Sequence, residues 1–451
     1  MLKTNSIRNS QILIAAISCL IIAFFVLSIP IDNGMYRLLA LINAEIACME
    51  MFMFYRQPFS MHKIVNFFII TFFVIANAIQ YSNKTIVSSI SIHLTSNDYV
   101  YFQLWVLFIL LLFNFSYPLI RADKRFSKLF KAAVNYNYVK DINYRLIIIS
   151  FVAVLLVIYN FRSSPLQLII RFDDFVLVDE MPESNIMSDL LFSKVIRTLP
   201  FVCYILACNY NSEKKVRVAL FIFMLIALFP TSLSRNAMAM YWLPVLFFKW
   251  PLIMKRNVFV IVLLIGILFF FPFMNNFRDY NIGNEIDWGF DFSYMNTMHF
   301  DSSQEFMIAM REKVVTNGYQ LLGVLFFFIP RSLWADKPVG SGEFLANMHI
   351  DAFPNISMPF WGEGYINFGI AGIVLFTLII AAFCSFFDNR YWRSSPKDLT
   401  ELKPVYFILL GALLFVLRGD LLSGYAYTIT IIIDYYLVKK FVIKKDIVSR
   451  K

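Results

Sequence analysis

The chain of 451 residues is 59% hydrophobic and 16% charged, with 50 Phe and a formal net charge of +10. A soluble domain of this length cannot bury so much apolar surface, so the composition excludes a water-soluble protein and indicates an integral membrane protein. The positive charge does not indicate a nucleic-acid partner, because Lys and Arg lie in short segments between apolar runs. The five cysteines all fall within apolar runs and predict neither a disulfide framework nor a metal site.

Twelve apolar segments approach the roughly twenty residues that a helix needs to cross a bilayer. In chain order they are 11–30, 36–55, 63–82, 99–120, 145–161, 188–209, 215–230, 236–250, 257–274, 362–387, 403–418 and 421–439. The first follows Lys3 and Arg8 with no small-residue cleavage site after it, so it is interpreted as a membrane helix and not as a signal peptide. The pattern predicts an all-α polytopic membrane protein, with residues 1–451 forming a single transmembrane domain.

Charged residues between these segments predict their orientation. Segment 121–145 carries seven Lys and Arg against two acids, and further basic clusters lie in 211–217 and 439–451. The positive-inside rule places these three segments in the cytoplasm. Segment 162–187 has two Arg against five acids and belongs on the outer side. An even number of helices with both termini in the cytoplasm satisfies all four segments.

The one long connection, 275–361, is then an outer loop. Residues 302–317 have apolar side chains at helical spacing with charges between them, which predicts an amphipathic helix. Residues 319–330 are apolar, end in Pro330 and are too short to span, so they predict a re-entrant or interfacial segment.

The end of this apolar run opens the stretch Phe326–Gly342, FFFIPRSLWADKPVGSG. Arg331 follows Pro330 directly, so a cation lies at the edge of the apolar region. The polar, Gly-containing residues after it favour a shaped, non-helical loop, to which we assign Pro330, Trp334 and Lys337 as shaping residues. The stretch is interpreted as the mouth of a site that faces out of the membrane and holds an anionic, lipid-linked substrate.

Several other basic residues lie at the predicted outer ends of helices. Together with Arg331, they are Arg278, Arg235, Arg418, Lys194 and Arg197. Guanidinium groups are permanently charged and bind phosphate oxygens through paired hydrogen bonds, so several at one depth predict a pyrophosphate site. The alternative for each is an anchor to lipid headgroups. Ten residues separate Arg278 from Gly289 and also Arg331 from Gly342, a spacing repeated within one loop.

Acids and histidines on the outer side are candidates for the general base that activates a sugar hydroxyl. They are Asp279, Asp291, His299, Asp301, Asp336, His349, Asp351 and Glu363. From this set we predict Glu363, Asp301 and His349 as catalytic residues. Glu363 stands beside Trp361 where the chain re-enters the membrane, and its alternative role is to cap the following helix. Glu45, deep in the second segment, favours an ion-coupled transporter instead.

Four stretches resemble the Wzy-type polymerases of O-antigen and other surface polysaccharides. They are FFFIPRSLWADKP (326–338), WGEGYINFGIAG (361–372), LSRNAMA (233–239) and LRGDL (417–421). The large outer loop late in the chain also resembles that family. Its members carry Arg and Gly separated by ten residues in periplasmic loops, as here, although the family places the two patterns in separate loops.

The resemblance implies a glycosyltransferase of the bacterial inner membrane, with the GT-C-like architecture of the polymerase and ligase superfamily and 275–361 as its periplasmic loop. Its donor would be a glycan on undecaprenyl pyrophosphate and its acceptor a second lipid-linked repeat unit. Arginines would neutralise the pyrophosphate without a metal or other cofactor. Arg278 and Arg331 would form the clamp, assisted by Arg235, Arg418, Lys194 and Arg197, with Gly289 and Gly342 shaping the loop. Partners would be membrane lipids and a chain-length regulator.

Two alternatives remain open at the level of sequence. An O-antigen ligase uses the same donor but transfers the glycan to lipid A-core, and the product distinguishes it from a polymerase. A flippase or transporter of lipid-linked oligosaccharides predicts repeated halves with charged or broken helices in matching positions, and the sequence shows no internal repeat.

Overall fold

A computed structural model describes residues 2–54, 57–122, 142–169, 192, 194–255, 257–266, 269, 292–350, 352–353 and 356–442. Of these, the backbone alone is described at 2–11, 122, 235–236, 292–293 and 396–401. Within these ranges every regular element is helical, in agreement with the fold class that the composition predicts.

The helices are numbered here in chain order. They are α1 (Leu2–Ser28), α2 (Gly34–Met53), α3 (Met61–Asn83), α4 (Ser96–Ala122), α5 (Ile142–Asn160), α6 (Leu199–Asn209), α7 (Lys214–Ala227), α8 (Arg235–Lys249), α9 (Val258–Ile265), α10 (Ser302–Arg311), α11 (Tyr319–Leu325), α12 (Ser341–Ala346), α13 (Phe360–Arg393), α14 (Pro396–Arg418) and α15 (Leu421–Val442). The middle of α3 is a π-helical segment, Ile69–Ile75.

Six helical segments are long and apolar enough to cross a membrane, and they contain α3, α4, α5, α7, α13 and α15. Three shorter apolar helices accompany them, at Ile12–Ser28, Ile196–Asn209 and Ala237–Lys249. Each of the twelve predicted segments coincides with helix in the described part of the chain, although residues 267–274 of the ninth lie largely outside it. Helix α2 is not among the six, because it carries three charged residues, Arg37, Glu45 and Glu50. The architecture is that of an all-helical, multi-pass membrane protein.

Helices α8 and α14 pack antiparallel, which brings two of the predicted basic residues to the same end. At Gly411 a side chain would stand 2.7 Å from the carbonyl oxygen of Met240, so the two backbones are in close contact there. Farther along, the Lys403 ammonium lies 4.8 Å from the ring of Phe248. The start of α8 at Arg235 therefore lies at the end of the bundle where α14 finishes at Arg418.

Helix α13 is broken near its start. Phe368 and Gly369 have non-helical backbone angles, with φ of +61° at Gly369, a value that glycine adopts without steric cost. A Cβ at Gly364 would lie 2.7 Å from the carbonyl oxygen of Gly372, so the short first part packs directly against the long second part. The backbone N–H of Gly318 donates to the carbonyl of Asn367 at 2.8 Å and satisfies the end of the short part. This break fixes the position of the short helix that carries Glu363.

Helix α10 differs from its prediction in length and in burial. It ends at Arg311 instead of 317, and its first eight residues are all buried. The Gln304 amide side chain accepts from the backbone N–H of Val87 at 2.8 Å and donates to the carbonyl of Thr85 at 2.8 Å. The helix is thus a core element packed against α3, α4 and α13, not an amphipathic helix lying on a surface. Gln304 thus has partners in the protein that a sequence pattern does not reveal.

Candidate functional site

The turn between α14 and α15, residues Arg418–Leu421, joins three separate parts of the chain. Arg418 contacts the segment just before α10, Asp420 contacts the start of α12, and Leu421 contacts Glu363 of α13. Three residues predicted from sequence, Arg418, Gly342 and Glu363, therefore meet at this turn. We call the turn and these contacts the RGD junction, after its residues Arg418, Gly419 and Asp420.

Arg418 and Asp301 form a buried ion pair at the RGD junction. An Nη of Arg418 lies 3.1 Å from Oδ1 of Asp301 and also donates to the carbonyl of Met298 at 3.0 Å. The hydroxyl of Ser357 donates to the same carboxylate. Burial raises the pKa of Asp301, while the Arg418 charge opposes that rise. Two predicted site residues are thus brought together, with Arg418 bound to protein groups and Asp301 shielded from solvent.

Glu305, one helical turn after Asp301, is a buried carboxylate that sequence analysis did not select. It is 0% exposed, and the Ser88 side chain lies near it without a hydrogen bond of normal length. Burial, with the nearby charge of Asp301 adding to it, raises the pKa of Glu305 well above its ordinary value. An acid in such a place favours its neutral form.

Glu305 is expected to make the stability of the protein depend on pH. The folded chain keeps a proton that the unfolded chain releases above its ordinary pKa of 4.5, so stability falls as the pH rises from there through the raised pKa. Glu305→Gln removes that dependence, and we expect it to increase the free energy of unfolding at mildly alkaline pH by about 1 to 3 kcal/mol. Unfolding of the purified protein by SDS across a pH series measures both effects.

Glu312→Gln is the matched control, because Glu312 is partly exposed and contacts His349 at 2.9 Å. We expect its stability curve to run parallel to that of the wild type across the same series. An unchanged slope for Glu305→Gln would show that Glu305 is ionised in the folded chain.

Glu363 holds two segments of the RGD junction together. One of its carboxylate oxygens accepts from the Ser341 hydroxyl at 2.5 Å and the other from the backbone N–H of Leu421 at 2.9 Å. Its side chain is fully buried. The carboxylate therefore ties α13 to the start of α12 and to the start of α15, which places it inside the protein.

Asp420 and Gly342 bring the start of α12 into close contact with the RGD junction. The backbone N–H of Gly342 donates to Oδ2 of Asp420 at 3.3 Å, and Oδ1 accepts from the N–H of Leu422 at 2.9 Å. Burial raises the pKa of Asp420, while these backbone donors oppose that rise. A Cβ at Gly342 would overlap the carbonyl oxygen of Ile356, so no larger residue fits. The predicted shaping role of Gly342 thus has a steric basis.

Arg331 and Lys337 form the exposed, basic part of the loop. Arg331 is exposed and donates from an Nη to the carbonyl of Lys337 at 2.8 Å. The Lys337 ammonium donates to the carbonyls of Phe327 at 2.7 Å and Ile329 at 2.9 Å. These bonds connect Lys337 to the end of the apolar run, next to Pro330. Trp334, which lies between Arg331 and Lys337 in the sequence, is half-buried. Lys337 is thus bonded to the backbone of the loop, and its shaping role stays a prediction.

A third cation, Lys194, lies near enough to Lys337 for the two charges to act on each other. Burial lowers the pKa of both lysines, and the charge of the neighbouring cation lowers it further, Lys337 acting on Lys194 and Arg331 acting on Lys337. The Lys194 ammonium lies 4.8 Å from the centre of the Tyr427 ring. None of the three cations forms an ion pair with a residue in the described ranges. We call Arg331, Lys337 and Lys194 the cation row.

The other predicted residues are engaged by different protein groups or lie outside the described residues. Arg197 binds the carbonyl of Ala227 at 2.8 Å and the hydroxyl of Ser232 at 3.0 Å, so protein groups engage its guanidinium. His349 contacts Glu312. Arg235 begins α8, but its side chain is outside the described part, as are Arg278 and Gly289 altogether. The pairing of the two Arg–Gly spacings therefore stays a prediction.

Glu343 is a further acid that the sequence analysis missed. It lies exposed in α12, near enough to Arg331 for that charge to act on it. The protein still covers part of its carboxylate, and this partial burial raises its pKa, while the Arg331 charge opposes the rise and Asp420 adds to it. Its position directly after Gly342 was the only signal in the sequence. In the described ranges, no group of three or more His, Cys, Asp or Glu is placed to hold a metal ion.

The fold and the arrangement of helices define a class, the multi-pass helical membrane proteins, with a polar junction at one end of the bundle. Comparisons with protein-family models, with curated proteins and with solved structures gave no match for this chain.

Proposed function

We propose that this protein is a polysaccharide polymerase. It is a glycosyltransferase that joins oligosaccharide repeat units carried on undecaprenyl pyrophosphate, at the outer face of the bacterial inner membrane, with both of its termini in the cytoplasm. The observation that carries the proposal is the cation row, in which three positive charges lie together beside the apolar run 326–330 without ion-pair partners in the described ranges.

The cation row suits a lipid-linked pyrophosphate. Adjacent positive charges repel one another, and a multiply charged anion relieves that repulsion. Exposed apolar residues beside the row, Phe326, Phe328 and Leu333, face the surroundings and suit contact with a polyprenyl chain. The charged head and the apolar tail of one substrate would thus find matching surfaces along one segment of the chain.

In the proposed reaction, the bond between the donor glycan and its pyrophosphate breaks while a hydroxyl of the acceptor sugar attacks the anomeric carbon. The pyrophosphate departs with its lipid, and the cation row stabilises the negative charge that grows on it. The acceptor proton passes to a carboxylate. Because Glu363 and Asp301 are buried and engaged, we assign this role to Glu343, which is exposed beside Arg331. Glu363, Asp301 and Arg418 position the loop from behind.

Arg331→Ala tests the proposal in proteoliposomes supplied with purified lipid-linked repeat units. We expect polymer formation to fall by about 100-fold or more, because the variant loses the permanent positive charge that stabilises the departing pyrophosphate. Arg331→Lys keeps the charge without the paired hydrogen bonds and is expected to retain intermediate activity. Polymer length on gels, together with the amount of folded protein in the membrane, gives the readout.

Arg311→Ala is the matched control, since Arg311 is also a partly exposed arginine, but it pairs with Asp98. It is expected to polymerise at the rate of the wild type. Normal chain lengths in Arg331→Ala would contradict the proposal. So would wild-type protein that transfers glycan only to lipid A-core, or that moves repeat units across the bilayer without joining them.

A further inference from the structure

A second cluster of positive charge lies at the other end of α8 and α14 from the RGD junction. The ends of α6 and α8 and the beginnings of α7 and α14 enclose a cavity of about 340 Å³ there. Four basic residues line it: Lys214, Arg217, Lys249 and Lys403. No acidic residue is among the lining residues in the described part of the chain.

In the described part of the chain, the charges of these four cations are not neutralised by an acid. None of them forms an ion pair with a residue in the described ranges, although they share one cavity. Nε of Arg217 is buried and has no hydrogen-bond partner, so a donor remains unsatisfied. A buried donor without a partner is unfavourable, and mutual repulsion adds to this. Both features favour the binding of an anion that accepts hydrogen bonds.

Aromatic rings hold two of the ammonium groups in place. The Lys403 ammonium lies 4.8 Å from the centre of the Phe248 ring, and the Lys249 ammonium lies 5.1 Å from that of Phe221. Cation–π contacts of this kind stabilise the charge without neutralising it. The cavity therefore presents positioned cations with their charge still available to a ligand.

The flank of the cavity is apolar. Val218, which lines the cavity, and Ile222, one turn along α7, are both exposed large hydrophobic residues. Trp250 and Leu252, just after α8, are exposed as well. Exposed apolar residues on a spanning helix face lipid chains, and tryptophan is typical of the membrane interface. An anion in the cavity would thus lie at the boundary between headgroups and acyl chains.

We infer that this cavity binds a phosphoryl group, and that an anionic phospholipid is its natural source, with the phosphate among Lys214, Arg217 and Lys403 and an acyl chain along Val218. Phosphate oxygens accept the paired hydrogen bonds that a guanidinium offers and satisfy ammonium donors equally well. This inference does not depend on the proposed polymerase function, because the cavity lies at the opposite end of the bundle.

Native mass spectrometry of the full chain in detergent tests the inference with defined probes. Phosphatidylglycerol, phosphatidylcholine with the same acyl chains and inorganic phosphate are each titrated against the delipidated protein. We expect phosphatidylglycerol to bind at least about tenfold more tightly than phosphatidylcholine, and the double variant Arg217→Gln, Lys403→Gln to lose that difference. Lys215→Gln is the control, because Lys215 is exposed and does not line the cavity.

The outcomes separate the sources of the phosphate. A preference for phosphatidylglycerol that vanishes in the double variant assigns the site to a lipid headgroup. Binding of inorganic phosphate that depends on the same residues, without a lipid preference, assigns the phosphoryl site to a soluble ligand. Equal binding of every probe, or a double variant that behaves like Lys215→Gln while keeping the thermal stability of the wild type, overturns the inference.

Discussion

Arg418→Ala is expected to lower the free energy of unfolding by about 3 to 5 kcal/mol, the usual cost of leaving one member of a buried ion pair alone. Asp301 is almost completely buried, and its only ionic partner in the described ranges is Arg418. Glu305 is a second buried carboxylate close by, so removal of the guanidinium also removes the positive charge that acts on both carboxylates. Equilibrium unfolding by SDS in mixed micelles gives the measurement.

A double variant distinguishes the loss of the ion pair from the loss of packing. Asp301→Asn with Arg418→Gln replaces both charges by neutral groups of similar size, and we expect it to recover more than half of the stability lost in Arg418→Ala. Arg311→Ala breaks the partly exposed pair with Asp98 and is expected to cost less than about 1 kcal/mol. Equal losses in Arg311→Ala and Arg418→Ala would mean that the buried pair contributes no more than a surface one.

The helices of this protein were predictable from sequence because lipid demands long apolar runs with internally bonded backbones. All twelve predicted segments coincide with helix where the structure describes them. Two features escaped the pattern. The burial of α10 depends on partners such as Val87 and Thr85, which are distant in sequence. The break at Phe368–Gly369 depends on contact between Gly364 and Gly372, which a hydropathy profile records only as continuous apolarity.

Some residues of the candidate site could be selected from the sequence, but their contacts and roles could not. Charge at the end of an apolar run identified Arg331, and outer position identified Arg418, Asp301 and Glu363. Their partners were not predictable, because the Arg418–Asp301 pair spans 117 residues and the Ser341–Glu363 bond connects two different helices. A sequence pattern shows that an acidic residue is present but not whether its side chain is buried. The structure places Glu363 inside the RGD junction, where its bonds to Ser341 and Leu421 organise the loop.

The two parts of α13 meet through glycines, and Gly372→Ala is expected to disrupt that contact. A Cβ at Gly372 would overlap the carbonyl oxygen of Gly364, and backbone atoms cannot move aside as a flexible side chain can. We expect the free energy of unfolding to fall by about 3 kcal/mol or more, at the upper end of what overpacking costs. SDS unfolding of the purified variant measures this loss directly.

Gly372→Ala is also expected to change the position of Glu363 at the RGD junction. Glu363 precedes Gly364 in the chain, so displacement of the short helix moves the carboxylate away from Ser341 and Leu421. Under the proposed polymerase function, polymer formation per folded molecule should therefore fall together with stability. Gly34→Ala is the control, because no atom lies within 4 Å of the added Cβ, and it should leave both quantities unchanged. A Gly372→Ala protein as stable and as active as Gly34→Ala would show that the two parts of α13 need not touch, and the assignment of Glu363 as the residue that positions the outer loop would then be wrong.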